Sequence, residues 1–256
     1  MNSRRVFLGI SAIVFVASVA MTIASCASMF AMGGMAMPGG WALSMMWMRM
    51  PGQTWPAAAG SFVAMWVVMM MAMMLPSLTP TLWRYHQTVG AAGVQRRGRL
   101  TALVGVGYYF VWAVVGTMVF PLGAGLAATL MREPALARGM PIVLGATVVA
   151  AGIVQRTGWK ARHLALCREV PSRGPTPGAE PGVAWRYGLC LGVHCVRSCA
   201  SLTVLVLGLG VMDVRVMTAV GAAITAERLA PNGEGVARVT GAIAVGVGAV
   251  VMLLAR

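Results

Sequence analysis

The sequence predicts an all-α protein: a polytopic transmembrane helical bundle of six or seven spans with its N-terminus in the cytoplasm. Three observations carry this. The 256-residue chain is 59% hydrophobic and only 10% charged, against about 25% charged in an ordinary soluble domain. Its apolar runs are continuous rather than alternating, and several reach the roughly 17 to 25 residues that a helix needs to cross a bilayer. Its basic residues fall in alternating interspan segments, as the positive-inside rule requires. Helices and closed barrels are the only spanning structures that satisfy every backbone polar group in lipid. A barrel strand alternates apolar and polar residues, so the continuous runs favour helices.

Spans are expected near residues 6–27, 61–82, 101–124, 139–156, 187–211, 214–230 and 239–255. With the N-terminus inside, fourteen basic residues fall on the cytoplasmic side (Arg4, Arg5, Arg84, Arg96, Arg97, Arg99, Arg156, Lys160, Arg162, Arg168, Arg173, Arg186, Arg228, Arg238). Five fall outside (Arg49, Arg132, Arg138, Arg215, Arg256), and Arg197 lies within the fifth span. The net charge of +14 is therefore read as topology, and no nucleic-acid partner is expected; the partner common to all spans is the lipid bilayer.

The first span occupies 1–28. Its start, "SRRVFL", resembles a twin-arginine export signal, and "IASC", ending at Cys26, resembles a lipoprotein cleavage site. The reading taken is a first span with basic inside flanks. Residues 29–60 form an extracytoplasmic loop holding eight methionines: 29, 32, 35, 37, 45, 46, 48 and 50. Gly33, Gly34, Pro38, Gly39 and Gly40 argue against a single helix there. Residues 61–256 form the membrane bundle, with a basic cytoplasmic loop at 156–186, flexible over 171–184, and a turn at 231–235.

The second span reads "SFVAMWVVMMMAMMLPSLTP", with six methionines between 65 and 74. At about 100° per residue, Met65, Met69, Met73, Met70 and Met74 lie within about 180° of arc, and only Met71 falls off it. Methionine is a flexible apolar filler, and also a soft neutral ligand suited to Cu(I). It needs no deprotonation, so it would ligate inside lipid without a buried charge. Pro76 removes a backbone donor and is expected to kink or end this helix.

The five cysteines, 26, 167, 190, 195 and 199, show no paired zinc spacing. Three lie in the fifth span, "YGLCLGVHCVRSCASL". Cys190 and His194 lie about 40° apart, Cys195 and Cys199 likewise, and the two pairs face different ways. Neither closes around an ion without a partner helix. Arg197, a charge within a span, needs a partner or an interface, and Glu227 is the expected one. No P-loop is present, and with six carboxylates and no nucleophile–base arrangement the chain reads as a binding protein rather than an enzyme.

"MWVVMMMAMMLPS" (65–77), "QRTGWKARHLALCR" (155–168), "YGLCLG" (187–192), "LGVMD" (209–213) and "ERLAP" (227–231) resemble, in order, the motifs of a bacterial family of integral membrane proteins held to bind metal, some of them described as copper chaperones. The resemblance covers about residues 60 to 231, and its first motif is the most specific. It implies a multi-pass protein of the bacterial inner membrane, copper as the metal, and a functional place for the sole lysine, Lys160. One departure is that the family carries one or two cysteines after the glycine equivalent to Gly192, where this chain has Val193 and His194 before Cys195. The ligands expected are Met65, Met69, Met70, Met73, Met74, Cys190, His194 and Cys195, holding Cu(I) for delivery to a cuproprotein. The alternative is a structural or assembly subunit of a membrane complex, bound to another membrane subunit and holding no metal.

Overall fold

A computed structural model describes residues 2–90, 93–173 and 180–255. Among the described residues the chain forms eight α-helices and one small hairpin: α1 (Asn2–Ala31), β1 (Gly34–Met37), β2 (Trp41–Ser44), α2 (Trp55–Thr88), α3 (Val94–Arg132), α4 (Pro134–Gln155), α5 (Gly158–Arg173), α6 (Pro181–Leu209), α7 (Val214–Leu229) and α8 (Gly233–Leu254). Six of these helices, all but α5 and α7, are long and apolar enough to cross a membrane. Their outer faces carry Ile13, Leu122, Ile243 and Leu253, all exposed in the isolated chain. Such a surface suits lipid and not water.

Each expected span lies on a helix; α1, α2 and α3 run several residues longer at both ends, and α4, α6 and α8 begin several residues earlier. The 16-residue α7 is the short one. It begins at a real cap: the Asp213 side chain accepts from the Arg215 and Val216 amides, which satisfies donors that a helix start leaves free. Three expectations change. The basic stretch 156–186 is not all loop, because 158–173 folds as α5. Of the flexible loop expected at 171–184, residues 174–179 lie outside those described, and 171–173 and 181–184 are helical, closing α5 at Arg173 and opening α6 at Pro181. The Met-rich segment folds into an antiparallel hairpin, with Met37 opposite Trp41 and positive-φ glycines Gly39 and Gly40 in its turn.

The two ends of the bundle are distinct. At one, Phe7 at the start of α1 packs on Trp83 and His86 near the end of α2, and Lys160 of α5 meets Glu227 at the end of α7. At the other, the hairpin's Trp41 donates to the Ala137 carbonyl at the start of α4, 2.9 Å away. The segments carrying the fourteen basic residues gather at the first end and the methionine hairpin lies at the second.

Pro76 does not end α2, which continues through it and through Pro80 to Thr88. The helix is held by packing on α3, where the buried Trp66 donates through Nε1 to the Trp112 carbonyl at 3.0 Å. Helices α4 and α8 meet backbone to backbone. A Cβ added to Gly152 would lie 2.7 Å from the Gly241 carbonyl oxygen, the close approach that small residues permit between membrane helices.

Candidate metal centre

The interior of the bundle is sulfur-rich at its middle. Four methionines of the α2 stripe, Met69, Met70, Met73 and Met74, are buried, and Met65 is half-buried beside them. The approximately 100° helical step places them on one side, and that side faces α6 and α7. Met73 lies against Gly221 of α7, where a Cβ would stand 3.6 Å from its Cγ.

Met74 meets α6. Its Sδ lies 3.9 Å from the Cys195 Sγ, and the Cys195 and Cys199 sulfurs lie 3.8 Å apart. Cys195 and Cys199 sit one helical turn apart, on the same side of α6. All three residues are at most 1% exposed. Two sulfurs bound to one ion at about 2.3 Å, in trigonal or tetrahedral geometry, stand about 3.8 to 4.0 Å apart. The observed separations match that spacing. Among the described residues no three His, Cys, Asp or Glu side chains gather into a metal site, so a centre here depends on methionine sulfur. The donor set, two thiols and a thioether, suits a soft monovalent ion rather than Mg(II) or Ca(II).

A buried cation borders the sulfurs. The Arg228 Nη1 lies 3.4 Å from the Cys195 Sγ, donates to the Ser77 Oγ at 3.0 Å, and approaches the Tyr108 hydroxyl at 3.4 Å. Tyr108 in turn donates to the Cys195 Sγ at 2.8 Å. A thiolate at Cys195 would thus be met by a guanidinium and a phenol hydroxyl, both preorganised by the fold. Cys167 of α5, also buried, lies within electrostatic reach of Arg228.

Below the sulfurs is a second buried network. The Lys160 Nζ pairs with the Glu227 Oε2 at 2.7 Å and donates to the Ser198 carbonyl. Gln155 donates to the other Glu227 oxygen, which also accepts from Thr240 at 3.0 Å. Ser201 donates to the Gln155 Oε1 at 2.6 Å. Every buried charge here is paired and hydrogen-bonded, which is what makes its burial tolerable. Glu227 therefore pairs with Lys160 and not with Arg197, which is exposed on the outer face of α6. Lys160, Gln155 and Thr240 together engage both oxygens of that carboxylate.

Of the expected ligands, the structure brings Met74 and Cys195 together. Met65 and Met69 line a small cavity with Cys26, while Met70 and Met73 fill the space along α2 between the two groups. Cys190 is half-buried, and His194 is half-buried with an Nδ1 that has no hydrogen-bond partner. His194 lies about 100° around α6 from Cys195, so neither it nor Cys190 joins the Met74 cluster. Two participants were missed from sequence. Cys199 had a signal, its four-residue spacing from Cys195. Arg228 had one in its place within "ERLAP" (227–231), but beside Glu227 it reads as a helix-end charge.

A family model described as copper chaperone matches residues 63–251. Comparison with curated proteins and with solved structures gives no match.

Proposed function

The chain belongs to the family described as copper chaperones, and on that premise we propose that it binds Cu(I) within the membrane and delivers it to an acceptor cuproprotein. The observation that carries this is the convergence of the Met74, Cys195 and Cys199 sulfurs beside Arg228. Cu(I) held by two thiolates and a thioether has a net charge of −1, and the adjoining guanidinium brings the assembly to zero. Charge balance of this kind is what a low-dielectric interior demands. The Lys160–Glu227 pair is balanced separately, so the centre does not draw on it.

The protein sits in the bacterial inner membrane as a multi-pass bundle, N-terminus in the cytoplasm. The methionine hairpin then faces outward, where its thioethers meet incoming copper, and the basic end with α5 faces inward. The segregation of basic residues to one end supports this orientation. Met65, Met69, Met70 and Met73 lead from the hairpin side toward Met74. Cys190 and His194, on another face of α6, serve as entry or exit ligands on that face rather than as part of the centre.

The test is Cu(I) binding by purified full-length protein under reducing conditions, measured by competition with a chelator of known affinity. Tight binding that loses one equivalent in Cys195→Ser/Cys199→Ser supports the reading. Binding no greater than that of a methionine-poor membrane protein contradicts it.

A further inference from the structure

The fold builds a second group of sulfurs toward the hairpin end, because Cys26 lies about 28 Å of helix rise along α1 from Phe7 at the basic end. The Cys26 Sγ donates to the Met212 Sδ at 3.9 Å, across 186 residues of chain. Both line a cavity of about 10 Å³ together with Met65, Met69 and Met217. One cysteine and four methionines, drawn from α1, α2, the α6–α7 connection and α7, thus face one small enclosed space. No charged side chain lines it. Cys26 is 5% exposed and is turned into the bundle, although α1 is otherwise the most peripheral of the long helices.

From this arrangement, and resting on the copper reading above, we infer that Cys26, Met65, Met69, Met212 and Met217 form a second Cu(I) site, which receives the ion before the Met74 centre does. The Cys26–Met212 separation again matches two sulfurs sharing an ion at about 2.3 Å from each. The cavity has about the room of one small ion or water. Charge decides the chemistry. Binding replaces the Cys26 thiol proton with Cu(I), one cation for another: the S–H bond breaks, the proton leaves to solvent, and a copper–thiolate bond forms. Copper stays Cu(I), and no net charge enters a space that no charged side chain lines, Asp213 alone acting on Cys26 from beyond it. The Met74 centre differs, because its second thiolate needs Arg228.

The two sites share α2. Met69 and Met74 are five residues apart, about 7.5 Å of helix rise, and the buried Met73 lies between them in sequence and on the same face. An ion passing inward moves from thioether to thioether without crossing a hydrated gap.

The experiment is Cu(I) stoichiometry and proton release on titrating full-length protein in detergent. Wild type is expected to bind two ions. Cys26→Ser/Met212→Leu should lose one ion and the single proton that accompanies it, while Cys195→Ser/Cys199→Ser should lose the other. A triple variant, Met65→Leu/Met69→Leu/Met217→Leu, leaves the cysteines in place and should weaken the Cys26 site at least tenfold. This keeps the test valid if removal of Cys26 perturbs the fold. Two ions retained in both Cys26→Ser/Met212→Leu and the triple variant would overturn the second site. So would a wild type that binds one ion, lost only with Cys195 and Cys199; that result leaves the copper reading intact. Wild type binding no copper would overturn both.

Discussion

Arg228 at the end of α7 reaches the Cys195 sulfur in the middle of α6, with Nη1 and Sγ 3.4 Å apart. The guanidinium is buried, and its Nη1 meets the Ser77 hydroxyl, the Tyr108 hydroxyl and that sulfur, so its charge is directed at the cysteine. This contact joins the charged and the sulfur-bearing parts of the interior, and it sets the first expectation.

Replacing Arg228 with Met removes the counter-charge of a bound copper–dithiolate. Cu(I) affinity at the Met74 centre should fall roughly 10- to 100-fold, the usual effect of losing a residue that supports a metal ligand. Arg228→Lys, which keeps the charge, should lose less. Chelator competition on both variants checks this, and equal affinities in wild type and Arg228→Met would remove the guanidinium from the account.

Met74→Leu separates ligation from packing. The swap nearly conserves volume, so stability should change by less than about 1.5 kcal/mol. Cu(I) affinity should nevertheless drop by about tenfold or more, about 1.4 kcal/mol or greater. A thermal melt in detergent and a copper titration on the same sample distinguish the two effects.

The Lys160–Glu227 pair is predicted to be structural. Lys160→Met or Glu227→Leu alone leaves an unpaired buried charge and should destabilise by about 3 to 5 kcal/mol. The double variant should be destabilised by clearly less than the sum. A double-mutant cycle measured by denaturant unfolding in mixed micelles provides the number, and strict additivity would argue against the pairing.

Gly152→Val should force α4 from α8, because its Cβ would meet the Gly241 carbonyl at 2.7 Å. A loss of about 1 to 3 kcal/mol is expected for overpacking of this kind. Gly246→Ala on the same α8, where nothing lies within 4 Å, should change stability by no more than about 0.5 kcal/mol. Comparison of thermal midpoints checks the pair.

The spans were legible in the sequence because lipid imposes one rule on every backbone group, and long apolar runs record it directly. Helix α5 was less so: "GWKARHLALCR" is basic enough to read as loop, and its helicity depends on burying Lys160, Leu164 and Cys167. The hairpin at Gly34–Ser44 was hidden by short strands. The methionine stripe was legible from its helical step, and so was the pairing of Cys195 with Cys199. What α2 meets across the bundle was not, because periodicity gives the face of a helix and says nothing about its neighbour. For that reason Met74–Cys195 and Cys26–Met212 had to come from tertiary structure. The expected Arg197–Glu227 pair failed on the same ground: the two share an end of the bundle but face different ways, and Lys160 is nearer.

Copper K-edge absorption of the full-length Cys26→Ser/Met212→Leu protein loaded with one equivalent of Cu(I), beside the same protein also carrying Cys195→Ser/Cys199→Ser and loaded alike, tests the central claim most directly. The account predicts a shell of sulfur alone at about 2.3 Å in the first, with fewer sulfurs or a lighter donor in the second. A shell of nitrogen or oxygen donors in the first would contradict it.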